Sequence, residues 1–141
     1  MSDQLGLDAA MLGGDGWDSP KLVEIAGEAA EGGYFSNHYS KDDPNPLVQG
    51  FVANFTSQHG EAPDALAACA YDAIRLVAQA IEAAGTVDRD ALRDALAQVV
   101  DFDGVTGTIT IDDERNARKT ATILTIENGV QTFVDTVDPA G

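Results

Sequence analysis

Between Pro46 and Val99 the sequence specifies three helices in succession, and only two short strand candidates stand ahead of them. That imbalance constrains the fold more than any other feature. Asn45-Pro46 pairs a capping side chain with a residue suited to the first helical turn. It opens a helix whose apolar face carries Leu47, Val48, Phe51, Val52 and Phe55 and which ends near Gly60. Asp64 opens a long alanine-rich helix closed by Gly85, with Leu66, Ala70, Ile74, Val77 and Ile81 as its expected inward stripe. Asp88 opens a third, with Leu92, Leu96 and Val99 facing in. An apolar helical stripe must be laid on another layer. Two strands supply too little sheet for three such helices, so the chain reads as part of a larger α/β unit.

The strand candidates are "LDAAML" (7–12), which stops at Gly13-Gly14, and the aromatic "YFSNHY" (34–39). Ser19-Pro20 repeats the cap-and-proline signal and starts a helix with Leu22, Val23, Ile25 and Ala26 that stops near Ala30. "SKDDPNP" (40–46) is a polar loop. After Asp103 the period changes from helical to alternating. "GVTGTITI" (104–111), "KTATILTI" (119–126) and "VQTFVDTV" (130–137) read as an antiparallel strand meander, turned at "DDERNAR" and "ENG".

With 24 acidic and 8 basic residues among 141, the formal net charge of −16 argues against nucleic acid and anionic membrane surfaces as partners. The one cysteine, Cys69, sits among alanines and reads as a small buried hydrophobe. No apolar run approaches the roughly 20 residues of a membrane span. The first ten residues lack the basic-then-apolar order of a signal peptide.

No catalytic motif is present. "GGDGW" lacks the Gly-Lys-Ser/Thr ending of a phosphate loop and places a carboxylate where phosphate would need neutralising. His38 and His59 stand apart from any cysteine or acidic set at metal spacing, and "IDDERNAR" reads as a solvated turn rather than a calcium loop. No metal, cofactor or catalytic residue is therefore expected. Asp15 and Trp17 remain, just past the carboxyl end of a strand. They are either a loop aspartate beside a tryptophan that plugs the core, or a ligand corner of the kind α/β sheets place there. A carboxylate there could pair with an ammonium group, with the indole as an apolar or cation-binding wall.

Three blocks, "LGLDAAMLGGDGWDSPKLVEIAGEAAEGGYFSNHYSKDDPNP", "APDALAACAYDAIRLVAQAI" and "FDGVTGTITIDDERNARKTATILTIENG", resemble in order and spacing the C-terminal part of substrate-binding proteins of branched-chain amino acid ABC transporters. The resemblance implies a partial type 1 periplasmic-binding fold: pieces of Rossmann-like lobes followed by the meander. It implies a noncatalytic role outside the cytoplasm, holding an amino acid in an interlobe cleft and delivering it to an ABC permease. By it, residues 1–33 end the second lobe with a ligand corner, 34–103 complete the first lobe, and 104–141 return through the hinge. Asp15 matches the acidic position that leucine-type binders set on the ligand ammonium; Trp17, Tyr34, His38 and Tyr39 are the expected cleft lining. The alternative is a structural module that self-associates through apolar faces left uncovered, giving a homo-oligomer.

Overall fold

The computed structural model describes Gly6 and residues 9–138. Two sheets and four helices form two halves. The first sheet has the order β1 (Leu12–Gly13), β2 (Tyr34–Asn37), β6 (Ala121–Glu127), β7 (Val130–Val137). β1 and β2 run parallel, with Leu12 opposite Tyr34 and Gly13 opposite Phe35, and the other neighbours run antiparallel. The second sheet is β3 (Phe102–Gly104), β4 (Gly107–Ile111), β5 (Ala117–Arg118), all antiparallel.

The helices start where local chemistry dictates. Ser19 caps α1 (Pro20–Ala26) by accepting from the Lys21 amide at 3.2 Å. Asn45 caps α2 (Pro46–His59) through the Leu47 amide at 2.9 Å, and Asp64 caps α3 (Ala65–Ala84) through the Ala67 amide at 2.8 Å. Asp88 caps α4 (Arg89–Leu96) through the amides of Asp90 and Ala91. Gly60 and Gly85 end α2 and α3 in the left-handed conformation, and their amides donate to the carbonyls of Thr56 and Ile81. α1 stops at Ala26, and a 3₁₀ turn carries the chain to Ala30, where the sequence reading had one helix.

The structure corrects three further expectations. β1 is shorter than the strand read over 7–12: only Leu12–Gly13 pair in it, and Leu7 and Asp8 lie outside the described residues. The strands after residue 102 are not one meander. β3, β4 and β5 form their own sheet, whereas β6 and β7 extend the sheet of β2, and the chain crosses between them at Lys119-Thr120. Alternation identifies strands but carries no information on which sheet each joins.

The stripe on α3 also faces the other way. Leu66, Ile74 and Val77 are 77%, 71% and 40% exposed, while Ala65, Ala68, Asp72 and Ala80 are buried. The helix is apolar on two faces, and within this chain the small-residue face is the one that packs. Ala65 and Ala68 meet Tyr39, Val48, Phe51 and Val105 in one core cluster. A second cluster joins Phe35, Leu124, Ile126 and Ala30 under the first sheet; a third joins Val99, Phe102 and Ile109. No helix among the described residues is long and apolar enough to cross a membrane.

Candidate functional site

The glycine-rich corner after β1 is built around an indole. A Cβ on Gly13 would clash with the Trp17 indole, so the strand can pass over the tryptophan only without a side chain there. Trp17 in turn packs on Phe35, with ring centroids 6.1 Å apart, and its carbonyl accepts from Gln131 Nε2 at 3.1 Å. The 3₁₀ turn Asp15–Trp17 is thereby anchored from below, and Asp15 is left on its outer side.

Asp15 meets His38. Its Oδ2 lies 3.2 Å from His38 Nε2, and both side chains are largely in solvent. The two residues are 23 positions apart and become neighbours because β1 and β2 pair in parallel register. The His38 amide donates to Asn37 Oδ1 at 2.8 Å, which turns the chain off the end of β2. Asp15, Ser36, Asn37, His38, Lys119 and Thr120 line an open hollow of about 360 Å³ at this edge.

Lys119 closes the back of the hollow. Its ammonium donates to the carbonyls of Thr106 at 2.7 Å, His38 at 3.2 Å and Thr120 at 3.2 Å. The contacts come from the β3–β4 turn, the end of β2 and the segment crossing from β5 to β6, so one side chain ties both halves together. Burial lowers its pKa from the ordinary lysine value, against the stabilising fields of the Cys69 and Asp72 groups. Cys69 is pushed the opposite way, its thiol raised by burial and only partly offset by Lys119.

Beneath Lys119, Asp72 fixes the Thr106 carbonyl. Asp72 is almost fully buried; its Oδ1 accepts from the Val105 amide at 2.9 Å and its Oδ2 from the Thr106 amide at 2.8 Å. Arg75 Nη1 stands 3.5 Å from Oδ1, donates to the Asp103 carbonyl at 3.0 Å and lies over the Phe102 ring. A Cβ on Gly104 would come within 2.6 Å of Oδ2, so the glycine is what lets the carboxylate reach both amides.

Of the five site residues read from sequence, the fold brings two together, Asp15 and His38. Tyr34 stands half-exposed on the same face of β2 as Ser36, outside the lining of the hollow. Trp17 packs against the core of the first sheet, and Tyr39 is buried in the helical core against Phe51, with ring centroids 6.0 Å apart. Burial pushes the Tyr39 phenol well above its ordinary range, and its hydroxyl has no hydrogen-bond partner among the described residues. Lys119 and Asp72 escaped the sequence reading. For Asp72 a signal exists: it continues the phase of Ala65 and Ala68, a carboxylate on a small-residue helix face. Lys119 carries none, since a single lysine before a strand has no distinguishing spacing. Among the described residues, no group of three or more His, Cys, Asp or Glu side chains is arranged to hold a metal ion.

A carboxylate and an imidazole thus stand over an open hollow at the carboxyl end of two parallel strands. Comparison with known proteins identifies the family. The family model described as "Periplasmic binding protein" matches residues 2–130, so the chain belongs to that family. Leu/Ile/Val-binding protein homolog 1 of Brucella abortus (strain 2308) is 31% identical over 114 residues, covering 81% of this chain and 30% of that protein. The crystal structure of a leucine-binding protein from Thermotoga maritima superposes with a TM-score of 0.87 at 37% identity, covering 98% of this chain and 40% of that one. A branched-chain amino acid transporter substrate-binding protein from Streptococcus pneumoniae, solved with isoleucine, gives 0.83 at 32%, again covering 98% and 40%. The fold is thus the type 1 periplasmic-binding fold, represented here in part, and the chain spans less than a third of the curated relative's length.

Proposed function

We propose that this chain forms one wall of an amino acid-binding cleft in the solute-binding component of an ABC importer, working outside the cytoplasm with a membrane permease. The observation that carries this reading is the Asp15–His38 pair over the hollow at the end of β1. Asp15 is the anchor for the ligand's ammonium, and His38 holds the carboxylate in place. The side chain of aspartate is one methylene shorter than the glutamate of leucine-type binders, so the ligand approaches closer or a water bridges the gap. The sheet of β1, β2, β6 and β7 with α1 belongs to one lobe; α2–α4 with β3–β5 belong to the other. The pairing of β2 with β1 supports a lobe boundary after Asn37 rather than after Gly33. The two hinge connections are then residues 38–45 and Lys119-Thr120, both irregular segments.

The experiment is a graft. Residues 9–138 replace the corresponding segment of the Thermotoga maritima relative, and calorimetry measures leucine, isoleucine and valine. Asp15→Ala in that graft is expected to weaken binding about 10–100-fold, the scale of one hydrogen bond to a charged group. Binding that is unchanged by Asp15→Ala would refute the assignment of the ammonium anchor.

A second reading, self-association, is favoured by the outward face of α3, where Leu66, Ile74 and Val77 lie exposed along one side of the helix. Light scattering on the 141-residue chain at micromolar concentration is expected to show a dimer or larger species, dispersed by Ile74→Glu. A monomer of unmodified sequence would eliminate this reading while leaving the cleft assignment intact.

A further inference from the structure

Away from the hollow, α4 and the β4–β5 turn flank an open concavity of about 480 Å³, within the size range of small-molecule pockets. Its floor is Leu92, Leu96 and Ile111, and its rim is Arg89, Arg93 and Arg115. It shares no residue with the hollow at Asp15.

The charge of this rim runs against the rest of the chain. The sequence carries three acidic residues for each basic one, yet the lining holds three arginines and no carboxylate. Arg93 is already neutralised, by Asp90 at 2.9 Å and Asp94 at 2.7 Å. Arg89 and Arg115 make no ion pair or side-chain hydrogen bond among the described residues. Arg115 is held at the rim by the turn itself. Its backbone is left-handed, at φ 68°, and Asp112 Oδ1 accepts from the Glu114 amide at 3.0 Å and the Asn116 amide at 2.8 Å. Ile111 meanwhile packs on the cluster of Val99, Phe102 and Ile109, so the floor is continuous with the core.

Two unpaired guanidinium groups above an apolar floor match a ligand with an anionic head and an apolar body. Arginine is the suited cation, because its planar fork takes a carboxylate through two parallel hydrogen bonds. We propose that this concavity is a second binding site, for a small amphiphilic carboxylate of medium chain length.

Decanoate is the probe, titrated calorimetrically into the 141-residue chain, with decyltrimethylammonium as its cationic counterpart. Saturable one-to-one uptake is expected, at least ten-fold tighter for decanoate than for the cation. Non-specific adsorption onto a chain of net charge −16 would rank the two in the opposite order. The double variant Arg89→Gln, Arg115→Gln is expected to weaken decanoate at least ten-fold. A spin-labelled carboxylate should broaden amide signals of residues 89–97 and 111–115. Tighter uptake of the cation, unchanged affinity in the double variant, or broadening centred on Leu66, Ile74 and Val77 would each overturn the proposal.

Discussion

Asp72→Ala is expected to destabilise the chain by about 3–5 kcal/mol, measured as the loss in urea unfolding free energy. Two buried amides, of Val105 and Thr106, lose their acceptor at once, and Arg75 loses its nearest carboxylate. Breaking a buried, hydrogen-bonded charge by removing one partner costs about 3–5 kcal/mol because the remaining groups stay buried and unpaired. Against a total stability of roughly 5–15 kcal/mol for a domain, that is enough to populate unfolded chains at room temperature. Asp72→Asn keeps one acceptor and turns a donor toward the Thr106 amide, so an intermediate loss is expected. A loss below about 1 kcal/mol for Asp72→Ala would mean that solvent reaches those amides and that the clamp is not a structural element.

Lys119→Met is expected to cost about 2–4 kcal/mol, less than the sum of three isolated charged hydrogen bonds because burial already penalises the ammonium. The three carbonyls converge on one point, from the β3–β4 turn, the end of β2 and the segment crossing from β5 to β6. A compact ammonium suits three convergent acceptors, whereas a planar guanidinium does not, so Lys119→Arg should not restore the loss. Hydrogen exchange reads the effect locally: protection should fall at the amides of His38, Thr106 and Ala121 before it falls in the interior of α3. Full rescue by arginine, or uniform loss of protection across the chain, would show that Lys119 acts as a general surface charge and not as a tie between the halves.

What the sequence disclosed divides by range. Ser19, Asn45, Asp64 and Asp88 act on amides two or three residues away, so residue type and position suffice to place each helix start. The resemblance blocks led to the type 1 fold, because order and spacing over most of the chain are a long-range signal that single motifs lack. Strand partnership was not legible. β5 and β6 are separated by two residues and belong to different sheets, and nothing in their alternation distinguishes them. The face of α3 was misread because a helical period finds an apolar stripe without telling which of two stripes packs within this chain. At the site, Asp15 and His38 were each visible as candidates, but their contact depends on the parallel pairing of β1 and β2. Asp72 becomes legible only once the small-residue face of Ala65 and Ala68 is taken as the packed one, since a carboxylate among alanines otherwise passes for a solvated position.

The indole under Gly13 has an evolutionary consequence. Asp15 rides on a turn whose height is set by how Trp17 fits between Phe35 and the backbone at Gly13 and Gly33. A lineage that retunes what the hollow presents therefore need not alter the hollow's own residues. On the proposed assignment of Asp15 as the ammonium anchor, conservative substitutions in the buried layer around Trp17 are expected to change the reach of the carboxylate while the acidic residue itself stays the same.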